Sequence, residues 1–175
     1  MPTKIKILQM DEISPRLGAR FLSSAMIAGL AAIITVSFIV FIRYRKLRLA
    51  IPMILVSLSE VLIILGASVL INWTIDLAAI AGIVAAVGTG VDSQIMILDE
   101  SIMGEKKAWS LKERLKRAFF MIFGAAGTTI GAMLPLLVLG FGMLRGFAIT
   151  TIVGVLAGVL VTRPAFGRIV EYLLE

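Results

Sequence analysis

The chain has 175 residues, 59% hydrophobic and 16% charged, with a mean hydropathy of +1.04, and a globular core of that length cannot hide so many apolar side chains. It contains no Cys and no His, which excludes disulfides, thiol catalysis and zinc–thiolate sites, removes the commonest metal ligand, and leaves acid–base work to Asp, Glu, Lys or Tyr. The net charge of +6 lies beside apolar runs rather than in an aromatic-interleaved patch, which argues against nucleic acid and for a lipid bilayer as partner.

A bilayer core of roughly 30 Å requires about 20 apolar residues of helix. Five runs qualify, at 20–43, 49–71, 75–99, 118–140 and 145–170, so an all-α polytopic bundle of about five transmembrane helices is expected. Residues 1–19 are polar, mixed in charge and without the apolar region of a signal peptide. The first span ends in RYRKLR, with Arg43, Arg45, Lys46 and Arg48. The second span holds Glu60 and turns through NWT at 72–74 into the third. Asp76 there suits the first turn of a helix, where the dipole favours an acid. The third span runs into GTGVDSQIMILDE at 88–100, and Asp99 and Glu100 at its end are expected to pair with Lys106 or Lys107 or to meet water.

The connection at 101–117 carries Lys106, Lys107, Lys112, Arg114, Lys116 and Arg117. Its Trp109, Leu111 and Leu115 suit either a short interfacial amphipathic helix or a solvated basic loop. The fourth and fifth spans join within a few residues around 141–144, and the fifth ends with Arg163 and Arg168. Basic connections mark the cytoplasmic side. Loops 43–48 and 101–117 are therefore expected in the cytoplasm, and the N-terminal segment outside the cell membrane. A polar segment cannot deliver itself across, so residues 1–19 read as the remnant of an external domain or linker, with an earlier span before them.

At 1.5 Å per residue, Asp92 lies roughly 12 Å from the cytoplasmic end, and Glu60 and Thr128 roughly 15 Å. Three polar side chains on three helices at a common depth are expected to share an internal site, where a carboxyl near neutrality carries protons. The competing reading is hydrogen bonding between helices with no ion coupling. Gly88 and Gly90 beside Asp92, and the pairs Gly127/Gly131 and Gly154/Gly158, are small-residue patterns expected to let helices approach closely. No nucleophile with a neighbouring base, no cofactor motif and no metal-ligand cluster is visible, so an enzyme is not expected.

GTGVDSQIMILDE, preceded by AIAGIVAAV, resembles the fourth-span motif of the SecD protein-export family, Gly-x-x-Val-Asp followed by an Ile-x-Ile-x-(Asp/Glu)-Glu exit. The stretch ISPRLGARFLSSAMIAGLAAIITVSFIVFIRYRK resembles that family's passage from external domain to second span, and LRGFAITTIVGVLAGVLVTRPAF its last span. Where bacterial members have Asp-Ala-Asn this chain has Asp92-Ser93-Gln94, so the resemblance is to the archaeal branch. It implies the second to sixth spans of a six-span subunit in the resistance-nodulation-division (RND) superfamily. The implied partners are SecF, the Sec translocation channel and unfolded preprotein, with export assisted by the proton gradient and Asp92 as the proton-relay position. The alternative within the superfamily is half of a proton-coupled lipid or drug exporter.

Overall fold

The computed structural model describes residues 15–45, 47–73, 75–103, 110–140 and 142–174. The helices are α1 (Pro15–Tyr44), α2 (Leu47–Leu70), α3 (Leu77–Met103), α4 (Leu111–Leu139) and α5 (Met143–Ala157); α5 passes through a π-helical turn, Gly158–Thr162, into α6 (Arg163–Leu174). In hydrocarbon a helix satisfies its own backbone, which is why so apolar a chain takes this form. Among the described residues, four stretches are long and apolar enough to cross a membrane: Arg48–Leu70, Leu77–Ile102, Leu111–Leu139 and the continuous Met143–Leu174. The apolar described part of α1, Gly29–Tyr44, is shorter. The chain is thus an all-α, multi-pass membrane protein. The proposed external remnant at 1–19 lies mostly outside the described residues, apart from the first turn of α1.

Local chemistry explains the ends. Asn72 has φ 50°, with Trp73 N–H donating to the Ser68 carbonyl at 2.9 Å and Asn72 N–H to the Val69 carbonyl at 3.1 Å. This left-handed closure is one that Asn tolerates, and it stops α2 short of the tight turn. Asp76 caps α3 by accepting from the Ala79 N–H at 2.6 Å. Ser110 and Glu113 form a reciprocal capping box that starts α4. The box settles one open expectation: Leu111 and Leu115 belong to the first turns of the fourth helix, with Leu115 buried, rather than to a separate interfacial helix. Trp109 lies outside the described residues.

The acids at the end of α3 are also placed differently from expectation. Asp99 pairs with Arg43 at 3.0 Å and accepts from the Tyr44 hydroxyl, tying α1 to α3. Glu100 lies 3.9 Å from Arg117 on α4. Lys106 and Lys107 lie outside the described residues.

Helix α3 is the hub, in contact with α1, α2, α4, α5 and α6. Its closest approach is to α5: Gly82 faces Thr150 and the Phe147 carbonyl, and Gly154 of α5 sits on Ala86. Below that seam the core gathers at the basic end, where Met53, Ile97, Leu98, Ala118, Ile122 and Phe166 are buried together. Beyond Ile122, α4 has no buried residue.

A Cβ at Gly82 would strike Thr150 Oγ1 and lie 2.9 Å from the Phe147 carbonyl oxygen. Gly82→Ala is therefore expected to lower stability by about 1–3 kcal/mol, read as a lower thermal midpoint in detergent. Gly66→Ala on α2, where a Cβ meets nothing within 4 Å, is expected to hold or raise the midpoint.

Candidate functional site

An ionised carboxylate inside an apolar bundle requires a counter-charge and hydrogen bonds, because removing it from water costs several kcal/mol. Glu60, at 0% exposure the most deeply buried acid of the described residues, has both. Arg163, 2% exposed, donates from Nη1 to Glu60 Oε1 at 3.2 Å. The Thr162 hydroxyl lies 3.3 Å from Glu60 Oε2 and 3.2 Å from the Gly158 carbonyl, with one proton to serve them.

The π turn brings the cation there. Within Gly158–Thr162 one extra residue enters the turn, and Arg163 N–H reaches back five residues to the Gly158 carbonyl. Thr162 and Arg163, adjacent in sequence, consequently both reach Glu60. Two glycines make the room. A Cβ at Gly158 would overlap the Arg163 guanidinium, which folds back over that bare backbone, and one at Gly90 would stand 2.6 Å from Glu60 Oε2. Arg suits this position because its planar fork stays charged on burial.

The cluster continues toward the basic end. Gln94, one turn along α3 from Gly90 and 0% exposed, donates from Nε2 to Ser57 Oγ at 3.4 Å. Gln94 Oε1 and Arg163 Nε have no hydrogen-bond partner among the described residues. Ser57, Glu60, Gln94, Thr162 and Arg163 form a polar layer across α2, α3 and the last span.

The expected convergence of Glu60, Asp92 and Thr128 is not what the structure shows. Glu60 is inside; Asp92 and Thr128 are exposed on the outer surface of α3 and α4. Spacing along a helix bears on height and is silent about direction. With Gly90 turned to Glu60, Asp92 two residues on lies about 200° round the helix. Asp92 has no hydrogen-bond or ion-pair partner among the described residues. Thr128 Oγ1 donates to the Ala125 carbonyl at 2.8 Å, satisfied within its own helix.

The glycines divide the same way. Gly90, Gly154 and Gly158 are packed, whereas a Cβ at Gly88, Gly127 or Gly131 would meet nothing within 4 Å. These three open the outer surface rather than pack this chain's own helices. Arg163, Thr162, Ser57 and Gln94 are the site residues that sequence reasoning missed. A usable signal existed for the first: Glu60 needs a cation, and Arg163 lies within the apolar run 145–170 rather than beyond it.

The family model described as "Protein export membrane protein SecD/SecF, C-terminal" matches residues 1–169. The chain is 53% identical over 175 residues to the protein-export membrane protein SecD of Methanocaldococcus jannaschii, covering 100% of this chain and 44% of that protein. It is 52% identical to the SecD of Thermococcus gammatolerans, covering 100% of this chain and 34% of that one. It is 31% identical over 163 residues to the protein translocase subunit SecDF of Brucella abortus, covering 89% of this chain and 21% of that one. The chain therefore spans less than half the length of these curated relatives.

Glu60→Gln strands the buried Arg163 charge and is expected to cost about 3–5 kcal/mol of stability. The pair Glu60→Met with Arg163→Met removes both charges and is expected to recover most of that loss in thermal unfolding. A double variant as unstable as the single would show that the ion pair is not what holds this layer.

Proposed function

The chain belongs to the SecD/SecF family of protein export membrane proteins, and on that premise we propose that it is a membrane subunit of the Sec export machinery. In this reading it assists translocation of unfolded preproteins by drawing on the transmembrane proton gradient, together with the homologous subunit SecF and the Sec channel.

The observation that carries the proposal is Asp92: an exposed carboxylate in the apolar helix Leu77–Ile102, unpartnered among the described residues. In lipid such a group costs roughly 2.5–3.5 kcal/mol on insertion scales, so it is expected to face a second bundle or a wet path between the two. A homologous membrane subunit supplies both. The open surface at Gly88, Gly127 and Gly131, where added bulk would meet nothing within this chain, suits close approach of foreign helices. Thr128 is then a polar group that the partner covers.

Asp92 is the better relay than Glu60. The Glu60 carboxylate already shares Arg163 and Thr162, which hold it in place. A gradient acts on a two-state bundle through a group whose protonation differs between the states, and an unpartnered carboxylate at a subunit boundary fits that requirement. The family's names describe export rather than a chemical transformation, in keeping with a non-enzymatic role.

The basic connections support an orientation with the end bearing Ser110 in the cytoplasm and the end bearing Met143 outside. Cysteines introduced at Ser110 and Met143 of this Cys-free chain are expected to react with impermeant reagents from the cytoplasmic and outer sides respectively; the reverse pattern would overturn the orientation. Asp92→Asn keeps size and hydrogen bonding but loses the ionisable proton. It is expected to leave insertion and SecF binding intact and to abolish gradient-dependent stimulation of export, with Asp92→Glu retaining part. Export by the Asn variant at the wild-type rate and with wild-type gradient dependence would end the relay reading.

A further inference from the structure

A groove of about 630 Å³ lies at the basic end of the bundle between the start of α4 and α6. Its rim carries Lys112, Lys116 and Arg168, and its floor Leu115 and Phe119, the latter with its ring against Gly167. Two acids also line it. Glu113 is held by the Ser110 N–H and hydroxyl at 3.0 and 3.1 Å, and Glu171 by Arg168 at 3.0 Å. Lys112 and Lys116 take part in none of the ion pairs among the described residues. The groove therefore carries a net charge of +1, and its two lysine ammonium groups, one helical turn apart, are free of ion pairs among the described residues.

We propose that this groove seats an anionic phospholipid, with its phosphate held by Lys112, Lys116 and Arg168 and an acyl chain running down α4. Depth supports the headgroup. The apolar run of α4 begins at Ala118, so Lys116 and Lys112 stand roughly 3 and 9 Å outside it. Lys116 therefore lies in the headgroup zone, about 5–8 Å thick beyond each face of the hydrocarbon, and Lys112 at its outer edge.

The stripe below supports the chain. Lys112, Lys116, Phe119 and Phe123 follow one another at spacings of four, three and four residues, which is one face of a helix. Phe123 is 53% exposed, so cations pass directly into accessible aromatic surface along that face. An acidic protein segment would match the lysines but has no use for apolar surface descending into the bilayer, whereas a lipid matches both. Pro164, next to Arg163, also lines the groove, so an occupant would brace the helix that delivers the buried cation.

The test is retention of lipid by the purified protein after reconstitution into vesicles of equal parts phosphatidylglycerol and phosphatidylcholine, counted by native mass spectrometry. Wild type is expected to retain phosphatidylglycerol preferentially, and each lysine to contribute about fivefold to the preference. Lys112→Gln with Lys116→Gln is expected to bring the ratio near one with an unchanged thermal midpoint in detergent, since both side chains are exposed. Arg48→Gln, an exposed basic residue on α2, is expected to leave the ratio unchanged. A photoreactive group on a cysteine at Phe123 is expected to capture lipid. No preference in wild type, a preference surviving in the double lysine variant, an equal loss in Arg48→Gln, or capture of protein alone would each overturn the proposal.

Discussion

A carboxylate in an apolar interior must find a cation, and the positions of three helices follow from how Glu60 finds one. Arg163 reaches it only because the last span leaves the α-helical register for one turn and passes its guanidinium over a glycine. Helix α3 reaches it only because Gly90 has no side chain to keep it away. Hydrophobic packing at the basic end closes the bundle, but any similar set of apolar side chains could do so in several registers. Charge, π turn and two glycines are matched to each other, and that matching fixes which register is used.

The same helix shows opposite solutions on its two sides. Inward, Gly90 and Gln94 meet partners within the chain; outward, Asp92 meets none among the described residues. A membrane protein that stood alone would be expected to favour the reverse, hydrocarbon outward and the ionisable group within. The outward carboxylate, the open glycines of α3 and α4, and the lack of buried residues on α4 past Ile122 are the features on which the proposed contact with a second bundle rests.

Much of this was legible in the residues. Run length and charge give the helices, because hydrocarbon leaves the backbone little choice of conformation. Asp76 and the short NWT turn could be read from local chemistry. Glu60 and Asp92 stood out, since few charges interrupt the apolar runs. Their assignment to one site failed because spacing along the helix gives height, while direction depends on which neighbour each face meets. Arg163 read as a flanking charge because an unbroken α-helix gives no reason to turn it inward, and the π turn that does so has no recognisable pattern in GVLVT. The ion pairs closing the basic end, Asp99 with Arg43 and Glu100 with Arg117, join residues far apart in sequence, and nothing local announces them.

A π turn is geometrically an α-helix with one residue too many, and every residue after it is rotated by about 100° relative to the uninterrupted helix. The chain from Arg163 onward is therefore in a different angular frame from α5. In that frame Phe166 and Val170 face the core, and Arg163 faces Glu60. Straightening the turn with every residue kept would rotate that whole inner face aside, exposing two apolar anchors and withdrawing the cation at once, whereas removing one residue from Gly158–Thr162 would leave ordinary helix with the face in place. The π turn thus takes up the one residue that would otherwise put the two halves of the span out of register, and the bond from the Arg163 N–H to the Gly158 carbonyl is as much a part of the site as the side chains that compose it.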